Sequence, residues 1–303
     1  MKISLSMRIK NNWTFIVSTF VWILFFSIAT SSFANGNPYM DTTKKQTLVP
    51  IDTDNKDNAV YITKEANIVF PEVLSGNEEE SIDYIEKFTA NKRAYIIRTY
   101  NKGKKYFPKV STILGKYDLP HELKVLMALE SAFNANAVSR AGAVGYWQFM
   151  DNVAREYGLK YTSHKVVIKK KHSKKAIVKT RYTRDDRKNF NKSTYAAARY
   201  LKDRSRNLDN DLLLMVASYN CGVGNVWEAM KRTGKENPTF WDIKKYLPAE
   251  TRAYVMNFIT LNVVFHNYEK FTHNTLTFKP VKVKLDDNED HTADVVDEVV
   301  MQK

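Results

Sequence analysis

Glu130-Ser131-Ala132-Phe133-Asn134-Ala135-Asn136-Ala137-Val138-Ser139-Arg140-Ala141-Gly142-Ala143-Val144-Gly145-Tyr146-Trp147-Gln148-Phe149-Met150 is the stretch that decides the fold. Just upstream, Pro120 opens a helix at its first position, where the missing N–H costs nothing. Leu123, Leu126, Met127 and Glu130 follow at helical spacing. The apolar stripe therefore ends on a carboxylate, and glutamate is almost never buried without a partner. Two readings stand side by side here. Glu130 closes the helix and pairs with Arg140 or Arg252, or it lies in an apolar wall where desolvation raises its pKa and preserves its proton near neutral pH. Cleavage of a glycosidic bond needs an acid of the second kind, because the sugar oxygen leaves poorly until it is protonated.

Helical patterning extends outward on both sides. Ile82, Ile85 and Phe88 form one stripe in a segment that continues to about Tyr100, and Pro108 opens a helix whose Val110, Ile113 and Leu114 share a face. Ser193 or Thr194 is placed to cap a helix through Tyr200 and Leu201. Leu212 to Tyr219 is apolar nearly all round, as a buried core helix is. Glu250 to about His266 forms a last long helix. Strand-like runs are few, but Val166-Val167-Ile168 and Ala176-Ile177-Val178 can pair as a small basic hairpin. There is no internal repeat. The fold class is mainly α.

The ends of the chain carry different signals. Lys2, Arg8 and Lys10 precede an apolar run from Trp13 to about Ala29, and Ser32 and Ala34 stand where a signal peptidase reads small residues. This order describes a secretory signal over residues 1–34. The alternative is an uncleaved anchor, since the run is near the lower limit for crossing a bilayer. No cysteine lies near the cleavage site, which argues against a lipid anchor. Residues 35–76 read as an extended or disordered lead-in, 77–268 as the ordered body with a short helical extension at its start, and 269–303 as an acidic tail. Leu285 to Lys303 alone holds seven acids against one Lys. The single cysteine, Cys221, leaves no internal disulfide, so packing alone must hold the fold.

The formal net charge of +14 suits an anionic partner. For an exported chain that partner is an acidic polymer or a lipid surface, and nucleic acid is set aside. The charge is concentrated in a basic insertion at 160–188, with 12 Lys or Arg and only Asp185 and Asp186 as acids. One reading is a solvated insertion between core helices. The other is an electrostatic clamp, through Lys169, Lys170, Lys171, Lys174 and Lys175, for anionic wall polymer or a membrane surface.

Three ordered motifs carry a family resemblance. The Glu130-Ser131 pair, Ser139-x-x-Gly142-Ala143-x-Gly145 and Gln148 form the first. Ser218-Tyr219-Asn220-Cys221-Gly222 is the second, and Pro248-x-Glu250-Thr251-Arg252-x-Tyr254-Val255 is the third. Together they resemble the lytic murein transglycosylases, which carry a soluble lytic transglycosylase-like domain, and Trp147-Gln148-Phe149-Met150 is similar to the membrane-bound branch of that family. The resemblance covers about Asn77 to Tyr268. It implies a lysozyme-like helical domain with a substrate groove, acting on peptidoglycan glycan strands in the periplasm, or at a membrane if the signal is retained.

The resemblance also implies roles. Glu130 would protonate the oxygen between N-acetylmuramic acid and the following N-acetylglucosamine, then take the C6 hydroxyl proton as a 1,6-anhydro ring closes. Ser131, Gln148, Tyr219, Asn220 and Tyr254 match substrate-binding positions, with ordinary backbone or core roles open for Ser131 and Tyr254. Gly142, Gly145 and Gly222 read as turn or close-approach glycines. No second carboxylate is well placed as a nucleophile: Glu122 lies about two turns back, and Glu250 reads as a partner for Arg252. The implied answer is that the substrate's own N-acetyl group supports the forming charge, with no metal and no cofactor. Two departures stand out, Cys221 in place of a small residue and the length of the basic insertion. A goose-type lysozyme would share Glu130 but release a reducing end, and a non-catalytic wall-binding protein would retain the groove alone.

Overall fold

The computed structural model describes residues 61–169 and 176–284. The expected signal segment, most of the lead-in and the stretch from 285 onward lie outside the described residues. So do Lys170, Lys171, Lys174 and Lys175, and only the backbone of Lys169 is described.

A short strand β1 (Tyr61–Lys64) leads through a 3₁₀ turn at Glu72–Leu74 into α1 (Glu78–Gly103). Glu78, Glu79 and Glu80 fill its first turn, where acids complement the helix dipole, and the helix kinks at Lys92. Next comes α2 (Phe107–Gly115), with Pro108 in its first turn and Val110, Ile113 and Leu114 fully buried, as the stripe predicts. The helix expected from Pro120 takes a different form. Pro120 is extended (φ −55, ψ 137) and precedes a 3₁₀ turn at His121–Val125, which runs into the short α3 (Leu126–Ser131). The side-chain stripe survives this change, because Leu123, Leu126 and Met127 are all fully buried.

After the site loop come α4 (Asp151–Glu156) and the strands β2 (Tyr161–Lys169) and β3 (Ala176–Asp185). These pair antiparallel, with Val167 opposite Val178 and Ile168 opposite Ile177, which is the expected hairpin. The following helix, α5 (Phe190–Asn207), is capped one turn earlier than expected. Asn189 accepts from the Lys192 amide at 3.0 Å, whereas Ser193 and Thr194 lie inside the helix, fully buried. Their hydroxyls donate back to Asn189 O at 2.7 Å and Phe190 O at 2.6 Å. Buried hydroxyls need such partners, and a helix carbonyl supplies one without disturbing the core.

The centre of the molecule is α6 (Leu212–Cys221), buried from Leu212 through Ser218. Around it pack α5, α7 (Val223–Thr233), α8 (Phe240–Ile243) and α9 (Ala249–His266), and α9 also packs on α1 and α3. Burying each large apolar side chain contributes about 1.5–3 kcal/mol, so this cluster supplies the stability that no disulfide provides. Beyond α9, the short α10 (Tyr268–Thr272) leads to β4 (Val281–Lys284), which pairs antiparallel with β1. Asn67 reinforces that junction, donating to Thr275 O at 2.8 Å and accepting from the Thr277 amide at 2.9 Å. Ordered chain thus reaches past residues 77 and 268 in both directions. No helix among the described residues is long and apolar enough to cross a membrane.

Arg187 fastens the hairpin to the body. Its side chain is fully buried, with Nε donating to Asp185 Oδ1 at 2.9 Å and Nη2 to Asp185 Oδ2 at 2.7 Å. It also pairs with Asp151, and its guanidinium lies 4.5 Å from the centre of the Tyr161 ring. One residue from each strand base and one from α4 therefore meet on a single cation. This bidentate geometry is the arrangement in which arginine binds carboxylates most strongly.

Candidate active site

Glu130 lies in the last turn of α3. That helix stops because Ala132 and Phe133 both take left-handed backbone conformations (φ 47 and 60). The turn places Glu130 against α9, where the Tyr254 hydroxyl donates to its Oε1 at 2.6 Å. Among the described residues Glu130 forms no ion pair with Arg140 or Arg252, so the pairing reading of its position does not hold. The residue remains part-exposed, while its carboxyl end is closely packed. Burial pushes its pKa from the ordinary 4.5 up to about 7, Tyr254 opposes the rise, and the Glu250 charge adds the smallest contribution. At neutral pH the carboxyl is therefore close to half protonated, the state a general acid needs.

The loop after α3 is built by the residues that the motif supplies. The Ser131 hydroxyl donates to Tyr146 O at 2.8 Å and accepts from the Asn134 amide at 3.2 Å. Both partners are backbone atoms. Ser139 Oγ accepts from the Ala143 amide at 3.0 Å, and Val144 bridges to both Val138 and Phe149. Gly145 has φ 86, and a Cβ there would meet Arg187 O at 2.1 Å, so only glycine permits this approach. Gln148 also has positive φ (48), and its Nε2 donates to Gly145 O at 2.9 Å and Ala137 O at 3.2 Å. Its Oε1 has no hydrogen-bond partner among the described residues.

Two helices close the site from below. Tyr219 on α6 donates to Trp147 O at 2.8 Å, and the buried Trp147 indole donates to Thr194 Oγ1 at 3.1 Å. Asn220 Oδ1 accepts from Thr251 Oγ1 at 2.7 Å, which joins α6 to α9. Burial holds the Tyr219 and Tyr254 phenols protonated, and the Glu130 charge adds to the effect on both. Glu130, Tyr219 and Tyr254 are thus brought together, Gln148 and Ser131 shape the loop beside them, and Asn220 is tied to α9. Cys221 is part-buried and burial raises its pKa, so it stays a thiol at neutral pH and is no nucleophile.

Glu122 lines a separate cavity of about 300 Å³ with Phe107, Lys124 and His266. Glu250 is exposed on α9, one turn before Tyr254. One residue beside the site escaped the reading of the sequence. Tyr200 on α5 packs its ring edge-on against Tyr219 at 5.4 Å and responds to the Glu130 charge. The helical pattern marked Tyr200 only as part of a helix, and no local signal distinguishes it from a core tyrosine.

Residues 112–241 match the family described as the transglycosylase SLT domain. Over 188 residues, 61% of this chain, the sequence is 30% identical to the membrane-bound lytic murein transglycosylase D of Escherichia coli strain K12, and the match spans 37% of that protein's length. It is also 28% identical over 144 residues to a putative tributyltin chloride resistance protein of Alteromonas sp. strain M-1, covering 47% of this chain and 60% of that one. Among solved structures the chain is similar to an inactive mutant of the lytic transglycosylase Slt of Pseudomonas aeruginosa, with a TM-score of 0.40 and 19% identity over 60% of this chain and 27% of that one. The 70 kDa soluble lytic transglycosylase of Escherichia coli gives a TM-score of 0.38 at 19% identity, covering 55% and 25% respectively.

Proposed function

We propose that this chain, which carries a transglycosylase SLT domain over residues 112–241, is a peptidoglycan lytic transglycosylase. The bond cut is the β-1,4 link between N-acetylmuramic acid and N-acetylglucosamine. The observation that carries this reading is Glu130, a carboxyl with a pKa of about 7 held by the Tyr254 hydroxyl at 2.6 Å.

Glu130 gives its proton to the bridging oxygen as the bond to muramic C1 breaks. The electron pair leaves with that oxygen, and positive charge grows at C1. The muramic C6 oxygen then bonds to C1 while its proton passes to the Glu130 carboxylate. The acid is restored, no water is consumed, and a 1,6-anhydro end results. Burial favours the neutral carboxyl before the first step, and the Tyr254 hydrogen bond supports the anion after it. The free Gln148 Oε1 is suited to accept from the substrate's acetamido N–H, which would hold that group near C1. Tyr219 and Asn220 set the position of the loop and of α9 around it. Replacing Glu130 by Gln retains the shape and removes the proton, so Glu130→Gln should leave folding intact and reduce wall-clearing activity by about 10³-fold or more. Activity within a few-fold of the parent would sink the assignment.

The same proposal places the enzyme outside the cytoplasm, in the periplasm or at the membrane surface. A mature protein that begins at Asn35 would support cleavage of the signal, and an intact Met1 terminus would point to a retained anchor. The basic hairpin is then a clamp for anionic wall polymer. Changing Lys169, Lys170, Lys171, Lys174 and Lys175 to Ser should weaken sedimentation with whole wall at low salt, and that difference should fade as salt rises. Equal binding of both proteins at low salt would leave the hairpin no such role.

A further inference from the structure

Tyr200 and Arg204 stand one helical turn apart on α5, and the steps above use neither. Three rings hold Tyr200 edge-on, with centroids 5.4 Å away at Tyr157, 5.4 Å at Tyr219 and 6.3 Å at Phe149. Its hydroxyl has no hydrogen-bond partner among the described residues and is not fully buried, so solvent serves it in the free protein. Burial raises its pKa, Arg204 opposes the rise and the Glu130 charge adds to it, which places the phenol within electrostatic reach of both.

The Arg204 guanidinium lies 4.9 Å over the Tyr200 ring and acts on the Tyr157 hydroxyl, but joins no ion pair among the described residues. Its Nε is the one fully buried side-chain nitrogen or oxygen among them that lacks a hydrogen-bond partner. The nearest acid in sequence, Asp203, is already engaged, accepting from the Tyr157 hydroxyl at 2.7 Å and pairing with Arg206 at 3.5 Å. Glu156 also acts on Tyr200 and is exposed to solvent. A buried donor without a partner is costly, and because Arg204 as a residue is part-exposed, the rest of its guanidinium carries charge and N–H groups that a carboxylate can meet.

We propose that Tyr200 and Arg204 form a carboxylate-binding subsite beside Glu130, which takes an acid group carried on the lactyl branch of muramic acid. The proposal rests on the peptidoglycan reading above. N-acetylglucosamine is neutral, so the acids of such a strand belong to that branch. They are the free lactyl carboxylate of a peptide-stripped strand, or the carboxylates of an attached stem peptide. A planar guanidinium beside a fixed phenol suits either one.

The test measures binding, in a Glu130→Gln background so that no strand is cut. Three soluble ligands are titrated: peptide-free muramic strands, strands with stem peptides, and neutral N-acetylglucosamine oligomers. Tyr200→Phe preserves the ring packing, and Arg204→Gln removes the charge. Each should weaken binding of at least one acid-bearing strand by roughly tenfold and leave the neutral oligomers unchanged. The strand that loses affinity identifies the source of the carboxylate. Arg204→Lys should recover part of the loss, which a purely structural role would not produce. Unchanged affinity for both acid-bearing strands, or an equal loss on the neutral oligomers, overturns the subsite. A parent protein that binds none of the three overturns the peptidoglycan reading itself, and the subsite with it.

Discussion

The Tyr254 hydroxyl donates to Glu130 Oε1 at 2.6 Å, across the contact between α9 and α3. This bond works against the burial of the same carboxyl. Burial favours the protonated form, the hydrogen bond favours the anion, and the Glu250 charge returns a little to the protonated side. The balance leaves Glu130 able to give a proton and to take one back at the same pH, which a reaction with one carboxyl requires.

The two neighbours should therefore shift the pH profile in opposite directions. On the proposed mechanism the reaction needs protonated Glu130, so kcat/KM should fall as pH rises through about 7. Tyr254→Phe removes the bond that favours the anion and should move this alkaline limb upward. Glu250→Gln removes a like charge and should move it downward. Limbs that move together, or not at all, would show that the balance is set elsewhere.

Stability gives a separate measure of the same group. The folded pKa of Glu130, about 7, stands above the ordinary 4.5, so the folded state binds the proton more tightly than the unfolded one. Glu130 thus lowers stability progressively as pH rises from about 4.5 to about 7, and by a constant amount above that. The full loss is at most about 3 kcal/mol, and less because the residue is part-exposed. Glu130→Gln should melt higher than the parent at pH 8, with the gap closing toward pH 4.5. A gap independent of pH would mean that the carboxyl titrates normally.

Arg187 is the cation on which the hairpin base depends. The Asp185 side chain is 2% exposed and its partner is this guanidinium. Arg187→Met would leave the carboxylate buried without its counter-charge, at a cost of about 3–5 kcal/mol in urea unfolding. A loss below about 1 kcal/mol would show that the network behaves like a surface ion pair.

Periodicity made most of the fold legible. The stripe of Val110, Ile113 and Leu114, the all-apolar run from Leu212 and the long final helix each describe what is buried, and burial is what forms them. The pairing of the hairpin strands was legible too, because two short β-branched runs stand close together in the sequence. The cap of α5 was not, since Asn189, Ser193 and Thr194 are all chemically able to cap and only the burial of the last two decides. The 3₁₀ turn after Pro120 escaped for a related reason, as both helix types put Leu123, Leu126 and Met127 inward.

At the site, Glu130 stood out because a carboxylate interrupts an apolar face, and the motifs led to Tyr254, Tyr219 and Gln148. Which backbone groups Ser131 and Gln148 meet was not legible, since the carbonyls of Tyr146, Gly145 and Ala137 are brought to them only by the folded loop. The need for glycine at 145 comes from Arg187, which is distant in sequence. Tyr200 was invisible for the same reason: its ring neighbours come from the end of the site loop, from the residue that follows α4, and from α6, and no local pattern records that meeting.

Mass spectrometry of the soluble products from purified peptidoglycan tests the central claim most directly. Glu130 acting alone, with the C6 hydroxyl closing on C1, predicts muramic ends in the 1,6-anhydro form, one water lighter than their hydrolytic counterparts. Reducing muramic acid as the main product would contradict the account, since Glu130 would then be serving a hydrolase that delivers water to C1.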